Sequence, residues 1–308
     1  MPSNNSILVL GAGELGTAVL RSLANHTSRS KSPLSVLLRP ASINSTEPSK
    51  KSEVDAIRAI GINLVPADLV NDSVETLSSI FKRFHTIIGC TGFVAGRNIQ
   101  LKLAQAALAA GVSRYFPWQF GVDYDVIGRG SAQDLFDEQL DVRDLLRSQD
   151  HVEWVIISTG MFTSFLFEPY FGVVDIKNDV VRALGSWENA VTVTTAQDIG
   201  ALTAEVVFAE PRIANTIVYT AGDTVKYERV ADLVDSLVGR KLRREEWGVP
   251  QLQEELEKDP DNPIKKYRVV FAQGKGVSWD KGHTFNAERG IKVTDVDKWA
   301  AENLMTKA

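Results

Sequence analysis

Ile7-Leu8-Val9-Leu10-Gly11-Ala12-Gly13-Glu14-Leu15-Gly16 is the stretch on which the fold turns. Four apolar residues enter a Gly-x-Gly-x-x-Gly turn, and Leu15, Ala18, Val19 and Leu23 then recur at helical spacing, so the segment reads as strand, tight turn and helix. In such a turn the first glycine permits the sharp reversal, the second lets a pyrophosphate approach the backbone, and the third lets the helix pack on the strand. The free N–H groups and positive dipole end of the helix favour an anion. The pattern predicts a dinucleotide site; the alternative is a turn with a structural role only.

The next apolar run, Leu34 to Leu38, ends in Arg39, where a protein binding the unphosphorylated dinucleotide would place a carboxylate for the ribose hydroxyls. No carboxylate occurs between Leu15 and Thr46, whereas Arg21, Arg29, Lys31 and Arg39 do. A 2′-phosphate would meet a cation there and no like charge, which points to NADP(H) as cofactor. Arg39 as a solvated loop charge is the competing reading.

Apolar strands alternate with helical segments through the first half of the chain. Strands are expected at Ile7 to Leu10, Ser35 to Leu38, Asn63 to Pro66, Thr86 to Cys90, Tyr115 to Pro117 and Trp154 to Ser158. The intervening helices are expected at Glu14 to Asn25, Lys51 to Ile60, Val74 to Lys82, Ile99 to Ala110 and Ser131 to Ser148, the last opened by a Ser131/Asp134 capping box. This rhythm predicts an α/β fold: a doubly wound parallel sheet of the Rossmann type with a smaller C-terminal substrate-binding lobe. Val191 to Thr195, Ala196 to Phe208 and Thr216 to Thr220 read as a return to the sheet layer. The expected division is therefore an NADP-binding domain over residues 1–158, rejoined by 190–222, and a substrate-binding lobe from 159–189 and 223–308.

Length and composition set outer bounds. A chain of 308 residues with 44% hydrophobic content can bury a full core. The 34 basic and 39 acidic residues leave a net charge of −5 and no basic block, which argues against nucleic acid as a partner. The apolar stretches are too short to span a bilayer. A lone cysteine, Cys90, and the absence of a secretory pattern make the cytoplasm the expected address. His26, His85, His151 and His283 are scattered without metal-ligand spacing, so no metal is expected.

Together the glycine turn with Arg39, the Gly61-Ile62-Asn63-Leu64-Val65-Pro66-Ala67-Asp68-Leu69 segment and Gly111-Val112-Ser113-Arg114-Tyr115-Phe116-Pro117-Trp118-Gln119-Phe120-Gly121 resemble the NmrA-like family, with its isoflavone reductase and phenylcoumaran benzylic ether reductase-like members, in the atypical short-chain dehydrogenase superfamily. The resemblance covers nearly the whole chain and says nothing of the substrate. It implies that Gly11, Gly13, Glu14, Leu15 and Gly16 line the pyrophosphate and that Arg39 takes the 2′-phosphate. It implies further that Asp68 and Leu69 lie near the adenine, that Cys90, Thr91, Gly92 and Phe93 lead toward the ribose and nicotinamide, and that Phe116, Pro117, Gln119 and Phe120 flank the nicotinamide. Pro117 as a strand end, and Phe93 or Phe120 as ordinary core, are the alternatives.

One departure from the family pattern bears on chemistry. Reductases of this family carry a lysine at the position that aligns with Gln139, and no lysine occurs between Lys102 and Lys177. Tyr-x-x-x-Lys is missing as well. Gln139 shares a helical face with Leu135, Val142 and Leu146, so a buried amide there must find partners, in a ligand or in the backbone. An amide is no practical acid. A proton for a developing alkoxide could then come from Tyr124, Asp123 or Asp125, unless the acceptor is an iminium that needs none. The aromatic run after Gly160 is the expected substrate wall, with Met161, Phe162, Phe165 and Trp118 as contacts; the alternative is that Phe165, Phe167 and Phe171 fill the interface between the lobes. These features favour an NADPH-dependent reductase of a small aromatic or heterocyclic metabolite, with hydride from the nicotinamide. Two further readings stay open: an isomerase of secondary metabolism that binds NADPH without net redox change, and a non-catalytic sensor of the NADP(H) pool.

Overall fold

Ile7–Leu10, the apolar run before the glycine turn, forms β1, and every one of its residues is buried. Apolar runs of the same kind form β2 (Leu34–Leu38), β3 (Asn63–Pro66), β4 (Thr86–Gly89), β5 (Arg114–Phe116) and β6 (Glu153–Ser158). The computed structural model describes residues 5–29, 32–93 and 96–304, so Lys31 lies outside the described residues. The strands stand in the order β6-β5-β4-β1-β2-β3, with Thr216–Tyr219 as a seventh strand beside β6. From β3 to β6 every pairing is parallel. The fold is α/β and doubly wound. Its order reverses between β1 and β4, and ligands of such sheets sit where the loops leaving these two strands diverge.

Alternation along the strands builds the core. Leu8, Leu10, Leu37 and Ile87 join Leu77 and Phe81 of the Val74–Phe81 helix, Leu103 of Ile99–Ala110 and Val142 of Leu135–Arg147 in one buried cluster. Outside that cluster, the Glu14–Asn25 helix packs on β1 and β2. A side chain at Gly200 would overlap the backbone of Ala18, so the helix Ala196–Val207 comes into close backbone contact there.

The chain divides into two compact units. The first holds the residues up to Gln119 with Glu138–Ile157 and Ile199–Val218; the second holds Phe120–Asp137, Ser158–Asp198 and the residues from Tyr219 onward. Within the second unit Ala190–Thr194 pairs antiparallel with Asp223–Lys226 and parallel with Met161–Phe162 in a separate three-stranded sheet. The expectation that Val191 to Thr195 rejoins the main sheet is therefore corrected, whereas Thr216–Tyr219 does join it. The reason is visible in the alternation: Thr192 bonds the Thr224 hydroxyl at 2.8 Å and Thr194 donates to the Thr159 carbonyl at 2.7 Å. Strands buried on both faces of a parallel sheet run instead as nearly continuous apolar stretches. The second unit has another three-stranded sheet, formed by Val174–Asp175, Val180–Leu184 and Arg243–Trp247.

The capping box also fails. The helix expected from Ser131 spans Leu135–Arg147, because Ser131 donates to the Gln133 carbonyl and Asp134 holds Lys266 at 2.9 Å. Both residues were needed for the box, and both are engaged elsewhere.

Candidate functional site

The glycine turn is built without room for side chains on its inner face. At Gly11 (φ +94°) a Cβ would stand 2.5 Å from the Thr91 hydroxyl, and at Gly16 it would overlap the Gly11 carbonyl. Gly13 is different: its added carbon would meet nothing, so the backbone faces open space. Gly13 also caps the Glu14–Asn25 helix with no side-chain bond to its first N–H groups. This is the geometry an anion needs. Glu14 is exposed, whereas the Leu15 side chain belongs to the core, so of Leu15 only the backbone can serve the turn.

In front of the turn lies a groove of about 590 Å³ that brings together Gly11, Gly13, Arg39, Asp68, Leu69 and Thr91 from the loops after four strands. Arg39 leaves the end of β2 and caps the short helix Pro40–Ile43. Of the other cations in its interval, Arg29 donates to the Ala24 carbonyl at 2.9 Å, and Arg21 is not among the residues lining this groove. Ser42, Lys50 and Glu53 line it too, and sequence reasoning missed them. Ser42 lies in the Pro40–Ile43 helix, and Lys50 and Glu53 lie in the following helix Pro48–Ala59, which brings them to the groove beside Arg39, a proximity that spacing alone does not reveal. Asp68 is a turn builder: its carboxylate accepts the N–H groups of Val70 (2.9 Å) and Asn71 (3.1 Å) and the Asn71 amide (2.9 Å). The Asn71 side chain, then the Val70 N–H, hold its pKa below the ordinary value.

Beyond β4 the residues divide by role. Thr91 donates to the Leu10 carbonyl at 2.9 Å, tying the two strand ends together. Cys90 is buried and packs against Gly16, and burial pushes its thiol pKa far up. Its side chain packs behind the turn. Trp118 lies over Gly92, where a Cβ would stand 2.8 Å from the indole, and meets Phe93 edge to face at 4.7 Å.

Next to this loop the helix Leu135–Arg147 carries a buried polar set. Gln119 Nε2 donates to the Gln139 carbonyl at 2.8 Å, and its Oε1 accepts from Arg143 Nε at 2.8 Å. Gln119, Gln139 and Arg143 are all fully buried. Gln119 thus braces the helix with both ends of its amide. Glu138, unforeseen from sequence, accepts the N–H groups of Asn98 and Gln100 at 2.8 Å and Leu101 at 3.2 Å, which are the first donors of the helix Ile99–Ala110. Gln100 in turn donates to the Thr91 carbonyl at 2.7 Å.

The expected proton donors Asp123 and Tyr124 lie in the second unit. Asp123 accepts from the Tyr219 hydroxyl at 2.6 Å and from the Val126 N–H at 3.3 Å, capping the short helix Tyr124–Ile127. Tyr124 is buried with its ring 4.9 Å from Phe136. Phe120 is buried, as is Met161, while Phe162 is half-buried. Phe165 contacts Tyr170, Phe171 and Tyr267 at 4.7 to 6.1 Å, an aromatic cluster rather than a lone wall residue. Phe167 and Phe171 are core. Ser158, Thr159 and Thr163 surround Met161 in sequence, and their buried hydroxyls lack partners among the described residues. Among the described residues no group of His, Cys, Asp and Glu could hold a metal ion, and no helix is long and apolar enough to cross a membrane.

The glycine turn, groove and sheet order agree with the comparisons with known proteins, where the NmrA-like family model matches residues 3–299. The chain belongs to the NmrA-like family. A Gibberella moniliformis protein described as an NmrA-like family domain-containing oxidoreductase is 48% identical over 305 residues, 99% of this chain and 100% of its own. Phenylcoumaran benzylic ether reductase Pyrc5 of Pyrus communis is 25% identical, over 97% of this chain and 98% of its own. Among solved structures, the leucoanthocyanidin reductase–NADPH binary complex from Vitis vinifera superposes with a TM-score of 0.79 at 19% identity, covering 97% of this chain and 99% of that one. An isoflavone reductase superposes with a TM-score of 0.78 at 21% identity, covering 97% and 99%. At these identities the likeness establishes the fold of this NmrA-like chain.

Proposed function

We propose that this chain is an NADPH-dependent reductase of a small aromatic or heterocyclic metabolite. The observation that carries the reading is one groove joining the open Gly13 backbone to Arg39 and Lys50. A pyrophosphate fits the first, and a 2′-phosphate fits the two cations. The relative described as an oxidoreductase and the NADPH-bound structural neighbours support the same reading. The residues present fit the cofactor, which would supply hydride from its nicotinamide. This chain's own contribution is binding and orientation: Gly11, Gly13 and the Leu15 N–H on the pyrophosphate, Arg39 and Lys50 on the 2′-phosphate, and Leu69 on the adenine.

As candidate substrate contacts, Trp118 in the first unit and Met161, Phe162 and Phe165 in the second each offer aromatic or thioether surface, and Ser158, Thr159 and Thr163 offer hydroxyls without partners among the described residues. A flat ring with polar substituents suits both. Gln139 stands where the family pattern has lysine, and Asp123 already accepts from Tyr219, so acceptors that need no proton, such as iminium-type heterocycles, suit this site best. The test is cofactor oxidation by the purified chain against a panel of enones, aldehydes and imines, with NADPH and NADH compared. Oxidation of NADPH by an imine or aromatic enone is expected, with NADH much poorer. Tight NADPH binding without turnover of any acceptor would overturn the reductase assignment.

A further inference from the structure

We propose that the Gln139 side chain is a docking group for an amide face, a carbonyl with an N–H beside it, brought by a ligand. Gln139 is fully buried, and both Nε2 and Oε1 lack a partner among the described residues. Of the other buried glutamines, Gln100 and Gln133 also leave Oε1 without a partner among the described residues, but their Nε2 groups donate to the Thr91 and Pro263 carbonyls, and Gln119 uses both ends. Gln119 and Arg143 moreover hold the helix in place by the Gln139 main-chain carbonyl and the Arg143 Nε, so helix anchoring needs nothing from the Gln139 amide.

An orphaned donor and an orphaned acceptor on one buried side chain are both costly, and leucine would fill a similar space at no such cost. A ligand relieves both only if it presents an acceptor and a donor side by side, as an amide does. Two such groups meeting edge to edge form a pair of hydrogen bonds. Two sources share this chemistry: the carboxamide of a bound nicotinamide, which rests on the proposed cofactor, and a lactam in the substrate ring. Because Gln139 is sealed from solvent, the ligand displaces the side chains now covering it.

Calorimetry on the intact chain and on Gln139→Leu separates the cases, with Gln139→Met as the second variant should leucine impair folding. Probes are NADP⁺, its 3-acetylpyridine analogue, 2′-phospho-ADP-ribose and the lactam 2-quinolone. If the nicotinamide supplies the amide, Gln139→Leu weakens NADP⁺ by about ten- to a hundredfold and leaves 2′-phospho-ADP-ribose unchanged. The unaltered chain then discriminates against the acetylpyridine analogue by a similar factor. If the substrate supplies it, NADP⁺ affinity is unchanged and 2-quinolone binding is lost. Either variant should melt higher than the unaltered chain when ligand-free. Unchanged affinity for every probe, or no binding of NADP⁺ and 2-quinolone by the unaltered chain, would overturn the proposal. Absence of NADP⁺ binding with 2-quinolone binding intact would instead sink only the cofactor reading.

Discussion

Arg39 lines the groove, and on the proposed reading its single charge selects the coenzyme. A guanidinium bonded to a phosphate contributes about 1.5–3 kcal/mol, so Arg39→Ala should weaken NADPH about ten- to a hundredfold while leaving NADH nearly unchanged, as fluorescence titration would show. Equal loss for both coenzymes would remove Arg39 from the 2′-phosphate. Gly16 has a different reason for being what it is. The Cβ of Gly16→Ala would overlap the Gly11 carbonyl, so the turn must open, at a cost of about 1–3 kcal/mol in denaturant unfolding with loss of cofactor affinity. Both positions were readable from local order, because a strand end and a turn are local events. Cys90 was not: its place in the motif suggested a ligand contact, and only its packing against Gly16 revealed a buried thiol.

Helix Ile99–Ala110 shows how an element depends on a residue far along the chain. Its first N–H groups meet the Glu138 carboxylate from the Leu135–Arg147 helix, and Asn98, which precedes it, makes no capping bond of its own. Glu138→Ala should therefore cost about 1.5–3 kcal/mol in urea unfolding. An unchanged midpoint would show that solvent serves those groups equally well. Strand β4 begins beside a second such dependence. Burial, then Arg212 and Arg114, lower the pKa of His85 from its ordinary 6.5. Since the folded value is the lower one, the unfolded chain takes up the proton first. The contribution of His85 is whole above pH 6.5 and is lost as pH falls from there toward the folded value. His85→Asn should flatten the stability profile over that window, and an unaltered profile would assign the acid sensitivity to other groups. Strand and helix spans were legible to within a few residues, since period and turn chemistry are carried by neighbours. The Ser131 cap was misread because Lys266, more than a hundred residues away, holds Asp134.

For the molecule as a whole, the proposed cofactor binding would be linked to folding. A ligand that binds only the folded chain stabilises it by about 2.7 kcal/mol at a hundred times its Kd, so NADPH should raise the melting temperature well above the shift given by equal NADH. Identical shifts would contradict a site selective for the 2′-phosphate. The loops meeting at the groove come from the ends of β1, β2, β3 and β4, so the groove belongs to the sheet as a whole rather than to one loop.

From residue order alone follow the parallel sheet, the glycine turn and the cation after the second strand, because hydrophobic period and backbone sterics act over a few neighbouring residues. Tertiary structure alone decided which polar groups are engaged. Asp123 is taken by Tyr219, 96 residues away, Glu138 reaches Asn98 across 40, and neither end of the Gln139 amide is bonded among the described residues. Whether a buried polar atom has a partner depends on which distant segment folds against it, and no local pattern in the chain encodes that.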